Sequence, residues 1–186
     1  MSRQLARRWF TASEYNRMAK AGILTEDDRV ELIEGEIVEM SPIGSRHAAC
    51  VNRLNMLLSR QSGQDLIVSV QNPIAVDDYS EPEPDVAVLR MRDDYYAQAL
   101  PEASDVLLVI EVADTSVEID RSVKIPLYAR TGIPLTILAD LPNELVEVYS
   151  EPVNGQYQSR EIFKRGDSFQ LRTLPQLSLS VDAILG

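Results

Sequence analysis

LLVIEVADTSVEIDRSVKIPLY, residues Leu107–Tyr128, decides how this chain folds. The run Val106–Ile110 is apolar without interruption, the pattern of a strand buried on both faces. Where that strand is expected to end, a lone carboxylate, Glu111, stands between Ile110 and Val112. Desolvating a carboxylate is costly, so a buried one needs a cationic neighbour. Arg121 and Lys124 are the local candidates. The segment Asp120–Thr131 that carries them reads as a helix stopped by Gly132 and Pro134, with Pro126 demanding a helix start or a kink nearby. A second acid, Asp85 in EPEPDVAVL, opens another apolar strand, Val86–Leu89. Two strand-borne acids with a lysine in reach suit metal-assisted phosphodiester hydrolysis: the acids hold the ion, and the lysine stabilises charge on the phosphate or nucleophile.

Outward from this stretch the elements are short. Phe10–Ala21 opens with Thr11, Ser13 and Glu14, a capping-type helix start, and Gly22 is a natural stop. RVELIEGEIVEM predicts a hairpin around Glu34-Gly35, with Val30, Leu32, Ile37 and Val38 apolar and Glu31, Glu36 and Glu39 polar. Ser45 to about Arg60 is an amphipathic helix with Val51, Leu54, Leu57 and Leu58 on one stripe. Leu66–Val76 is strand-like, broken at Pro73 as on an edge or bulge, and DDYSEPEP is a polar turn leading to Asp85. Arg90–Ala103 reads as a mobile connection with a short helix. Leu135–Ala139 and Leu145–Tyr149 are strands, and Asn154-Gly155 turns the chain into Tyr157–Phe163. The tail LSLSVDAIL is a short strand and a helical turn. The expectation is one domain over residues 1–186, α/β or α+β, with a mixed central sheet, flanking helices and a β-hairpin annex.

Composition bounds the chemistry. With 29 acidic against 18 basic residues the formal net charge is −11, which repels nucleic acid at long range unless a basic groove or bound ions intervene. Cys50 is the only cysteine, so no intrachain disulfide forms, which fits a reducing cytoplasm. His47 is the only histidine, which excludes multi-histidine or cysteine zinc sites. The remaining ligands are oxygen, which suits Mg²⁺ or Mn²⁺. Arg3, Arg7 and Arg8 are followed by no apolar segment of signal-peptide length, and no run approaches a membrane span. A cytoplasmic protein without membrane partner or organic cofactor is expected.

EPEPDVAVL followed by LLVIEVADTSVEIDRSVKIPLYARTGIP resembles a large bacterial family of restriction-endonuclease-like proteins in the PD-(D/E)XK nuclease superfamily. FTASEY, ELIEGEIVEMSPIGSRHA, VQNPIAV and EVYSEPVNGQY extend the resemblance, in order, over most of the chain. The resemblance implies a restriction-endonuclease-like fold and metal-dependent cleavage of DNA. Asp85 then matches the first acid of the motif and Glu111 the second. The superfamily's lysine belongs two positions after that acid, where this chain has Ala113, and Lys124 matches a lysine moved onto the next helix. Glu31 resembles an upstream acid that completes such sites, although a solvent-facing hairpin position explains it equally well. After the helix, Leu135-Thr136 replaces the Glu-aromatic pair usual in the family.

Three further residues carry two readings each. Asp120 orients Lys124 or Arg121, or caps a helix. His47 contacts phosphate or a metal-bound water, or packs near a helix start. Gln71 bonds near the site, or pairs in the core. Tyr128 reads as packing, and Glu81 and Glu83 as solvated turn residues. Members of this fold commonly pair, so a homodimer is expected, with exposed strand edges available for it. The rival to a nuclease is a catalytically inactive binding or assembly module of the same fold. The discriminating observation is whether Arg46, Arg53, Arg60, Arg90, Arg92 and Arg121 gather on the face of Glu111.

Overall fold

The computed structural model describes residues 7–25 and 27–186, so Arg3 of the N-terminal arginine group lies outside the described residues. Leu107–Tyr128 forms the parallel unit at the centre of the molecule. β5 (Val106–Ala113) pairs with β6 (Leu135–Asp140) in parallel, Glu111 opposite Leu138. A parallel pair needs a crossover. Here it comprises α3 (Val117–Ile119), a π-helical turn (Asp120–Lys124) and α4 (Ile125–Arg130). Pro126 sits in the first turn of α4, just past the π turn, where its missing N–H and fixed φ are tolerated.

All other pairings in the sheet are antiparallel. β3 (Leu66–Val70) and β4 (Val86–Arg90) precede β5, and β7 (Leu145–Val153) and β8 (Gln156–Lys164) follow β6, in the spatial order β3-β4-β5-β6-β7-β8. The β7–β8 turn is Asn154-Gly155, both with positive φ, the two-residue hairpin turn whose twist matches the strands. This hairpin is therefore part of the main sheet. The annex is the separate pair β1 (Val30–Ile33) and β2 (Glu36–Glu39), closed by Glu34-Gly35 with φ 51° and 80°. A Cβ on Gly35 would lie 2.8 Å from Trp9 Cβ, so the position needs glycine for space as well as for φ.

Side-chain alternation sorts the sheet into two faces. Val86, Val88, Leu108 and Ile110 pack with Cys50, Leu54 and Leu58 of α2 (Ser45–Gln61). The same cluster takes in β9 (Ser168–Leu171), β10 (Leu174–Ser180) and α5 (Val181–Leu185). Ala87 and Val109 pack instead with Leu127 and Tyr128 of α4 and Ile33 of β1. With a period of two, Glu111 shares the face of Val109 and Ala113 and lies under the crossover helix. Helix α1 (Ala12–Lys20) is capped by a reciprocal Thr11–Glu14 box. The expected mobile connection after Arg90 is a run of turns ending in a 3₁₀ turn, Ala103–Asp105. Among the described residues no helix is long and apolar enough to cross a membrane.

Candidate active site

The C-terminal end of β5, the residue before β4, the N-terminal turn of α2, the β1 strand and the π turn converge on a cleft of about 220 Å³. Five backbone elements thus each contribute a polar side chain to one place.

Asp85 stands immediately before β4. Its Oδ2 accepts the Val112 N–H at 2.9 Å and lies 3.0 Å from His47 Nε2, and Gln71 Nε2 donates to Oδ1 at 3.4 Å. The bond from Val112 fastens Asp85 to the strand that carries Glu111. Gln71 follows β3 with φ 50°, and its N–H donates to the Asp85 carbonyl at 3.1 Å, so a left-handed kink at the strand end aims it here. The hydrogen bond to Asp85 raises the His47 pKa, against burial, which lowers it. His47 Nδ1 is buried without a partner among the described residues.

Glu111 is 3% exposed. Its Oε1 accepts the Tyr128 hydroxyl at 2.6 Å and lies 3.5 Å from Lys124 Nζ. Its Oε2 makes no hydrogen bond among the described residues, while Glu111 lines the cleft. Lys124 also meets Glu31 Oε1 at 3.0 Å, and Glu31 Oε2 accepts the Glu83 N–H at 3.1 Å. Burial pushes the Glu111 carboxyl well above the ordinary range; Lys124 pulls it down, and Asp120, Asp85 and Glu31 push it further up. Burial works to lower Lys124, but Glu111 and Glu31 outweigh it and hold the ammonium firmly charged.

The π turn explains how Lys124 reaches Glu111 from a helix. Ile125 N–H donates to the Asp120 carbonyl five residues back, and the wider turn buries Asp120 and Lys124 while Arg121 reaches elsewhere. Asp120 accepts the Ser116 hydroxyl at 2.6 Å, and burial raises its pKa. Asp120 lies inside the crossover, so it does not cap a helix start.

Glu31, Glu111 and Asp120 therefore surround the buried Lys124 ammonium, and Asp85 and the half-buried Glu83 line the same cleft. Such a set attracts a cation. Among the described residues no three His, Cys, Asp or Glu side chains are close enough together to hold an ion alone. The oxygen donors of Asp85 and Glu111 fit Mg²⁺ or Mn²⁺, ions that take one or two carboxylates and fill their remaining positions with water and substrate phosphate.

The sequence matches the Uma2 family, described as "Putative restriction endonuclease", over residues 12–182. This chain belongs to the Uma2 family. It is similar in fold to a crystal structure from Anabaena variabilis ATCC 29413, described as a putative nuclease belonging to DUF820. That match has a TM-score of 0.72 at 18% sequence identity and covers 95% of this chain and 97% of the other. No curated protein matches the sequence. The architecture is restriction-endonuclease-like, a mixed six-stranded sheet flanked by helices with a separate hairpin.

Against this Uma2 framework several sequence expectations change. Arg121 does not serve Glu111; it pairs with Glu118, Asp140 and Glu147. Glu31 is 6% exposed and not a solvent-facing hairpin residue, because the hairpin folds over the cleft and Leu32 bridges to Glu81. Glu81 is likewise 5% exposed, bonded to Asn16 at 2.9 Å, and burial raises its pKa as it does that of Glu83. Tyr128 does more than pack, since its hydroxyl holds Glu111; its spacing of four residues from Lys124 was the available signal. Leu135-Thr136 opens β6, and Thr136 Oγ1 lies 2.8 Å from the Tyr157 hydroxyl. The arginines do not gather at Glu111: Arg53 bonds the Ile184 carbonyl, Arg90 the Ser104 carbonyl and Arg92 Asp94. Arg46 bonds the Leu141 carbonyl and Asp114, and the cations lining the cleft are Arg29 and Lys124.

Proposed function

We propose that the cleft hydrolyses phosphodiester bonds of DNA with Mg²⁺ or Mn²⁺. The observation that carries this reading is Glu111, a buried strand carboxylate that lines an acid-rich cleft with one oxygen unbonded. Asp85 and Glu111 would hold the ion. When bound, it supplies Lewis-acid polarisation of the phosphate and an activated water. His47, Gln71 and the Val112 N–H orient Asp85, and Tyr128 and Lys124 orient Glu111. Lys124 remains charged and counters the excess of carboxylates beside the reacting phosphate. Asp120 and Glu31 sit around Lys124 and fix where its ammonium points.

The acidic cleft makes the ion part of substrate attraction, since the net charge of −11 repels a phosphate backbone. The buried Cys50, its thiol pushed up by burial to about 11, accords with action in a reducing cytoplasm. The outer strands β3 and β8 offer edges through which a homodimer would form. The scatter of the arginines favours a second reading, a catalytically inactive module of the nuclease fold. Cleavage of plasmid and oligonucleotide DNA with Mn²⁺ separates the two. Loss of metal-dependent cleavage in both Asp85→Ala and Glu111→Ala, with the fold retained by circular dichroism, supports hydrolysis at this cleft. Undiminished cleavage in Glu111→Ala overturns it, and no cleavage by the wild type under any divalent ion favours the inactive module.

A further inference from the structure

The two oxygens of Glu111 are treated unequally. Tyr128 OH, on a side chain with no exposed surface, donates to Oε1 at 2.6 Å, and Lys124 Nζ approaches the same oxygen at 3.5 Å. Oε2 receives no donor among the described residues. Both grips come from the crossover, Lys124 from the end of the π turn and Tyr128 from α4 one helical turn later. A buried tyrosine packed among Ile33, Ile74 and Leu127 has no freedom to swing away, so its hydroxyl is a fixed point.

We propose that Tyr128 is a positioning residue that makes Glu111 present a single oxygen to a bound cation, and so selects small octahedral ions over Ca²⁺. Ca²⁺ takes six to eight oxygens and readily uses a carboxylate in bidentate fashion, whereas Mg²⁺ and Mn²⁺ accept one oxygen per carboxylate. With Oε1 bonded by the Tyr128 hydroxyl and faced by the Lys124 ammonium, bidentate capture would require the hydroxyl to leave and the ammonium to give way. Removing the hydroxyl alone frees a lone pair on Oε1 without changing the volume of the core.

This inference rests on the proposal that Glu111 holds a metal, and its test separates the two. Calorimetric titration of Mn²⁺ and Ca²⁺ into wild type, Tyr128→Phe and Tyr149→Phe gives a ratio of affinities for each. Tyr149→Phe is the matched control, because it deletes a tyrosine hydroxyl bonded to a buried glutamate, Glu147, outside the cleft. The expected result is a shift of the ratio towards Ca²⁺ by roughly tenfold in Tyr128→Phe and no shift in Tyr149→Phe. Mn²⁺ binding in the wild type with an unchanged ratio in Tyr128→Phe overturns the role of Tyr128 and leaves the metal site standing. A ratio that moves equally in Tyr149→Phe overturns it too, by showing general loosening. No ion bound to the wild type, with or without a phosphorothioate oligonucleotide, fails the metal reading itself and this inference with it.

Discussion

A single π-helical turn serves two charge clusters of opposite balance. Lys124 points into the cleft, where Glu31, Glu111 and Asp120 share it. Arg121, three residues earlier, points to the far side, where it meets Glu147 at 2.7 Å and Asp140 at 3.3 Å. That cluster is balanced: Arg160 reaches Glu147 at 2.9 Å, Tyr149 donates to the same carboxylate, and Asn143 donates to Asp140. Glu147 and Glu111 are about equally buried, at 1% and 3% exposure, yet their pKa values move in opposite directions. Burial pushes both up. At Glu147 the hydrogen bonds from Arg121 and Arg160 overcome it, whereas at Glu111 the lone ammonium does not. Exposure alone therefore does not separate the structural cluster from the candidate functional one, although Glu111 lies deeper. The ratio of cations to carboxylates does, and the deficit at the cleft is what an added cation would relieve.

Removing the cleft's ammonium should produce the largest effect. Lys124→Met leaves the buried Glu111, Glu31 and Asp120 without their ammonium, and we expect about 3–5 kcal/mol of lost stability in urea unfolding. Millimolar Mn²⁺ should restore part of it by binding the native state. An equal loss with and without the ion would remove the distinction between the clusters.

Glu147→Gln should cost less, about 2–3 kcal/mol, because Arg121 and Arg160 keep access to water when their partner goes. Here Mn²⁺ should restore nothing, and restoration would show that the far cluster also senses cations.

The smallest effect should be a gain. Glu111→Gln removes an excess carboxylate while keeping an acceptor for Tyr128, and we expect about 1 kcal/mol of added stability, or roughly 2–4 °C in melting temperature. Its pH dependence follows from the raised carboxyl. The native state retains a proton that the unfolded chain has lost, so the wild type loses stability as pH rises above the ordinary carboxylate range. The advantage of Glu111→Gln should thus grow from acidic to neutral pH. Glu147 behaves in reverse: its contribution is present above the unfolded pKa and is lost as pH falls through the lowered one. Thermal melts of both variants between about pH 3 and pH 8 check the opposite slopes.

Much of this architecture was legible because it rests on local rules. The apolar run Val106–Ile110 is a buried strand, Glu34-Gly35 and Asn154-Gly155 turn their hairpins with positive φ, and Thr11 with Glu14 caps α1. Glu111 was visible as an acid between apolar residues, a conflict that sequence displays directly, and Asp85 as the acid that opens the next apolar strand. The strand carrying Glu111 is expected over Val106–Val112 and runs on to Ala113, because β6 continues to pair with it there. Glu31 was ambiguous because alternation along β1 cannot reveal that both faces of the strand are covered.

By itself, then, the sequence determined the elements, their turns and the two acids, since propensity, periodicity and desolvation cost act over a few residues. Which cation answers which acid was decided only in three dimensions. Arg121 and Lys124 are equivalent in composition and adjacent on one turn, but the i→i+5 geometry sends them to opposite sides of the crossover. The grip of Tyr128 on Glu111 and of Val112 on Asp85 likewise depends on strand register and helix placement. Electrostatic partnership is set by distances between chain segments far apart in sequence, and those exist only once the sheet has closed.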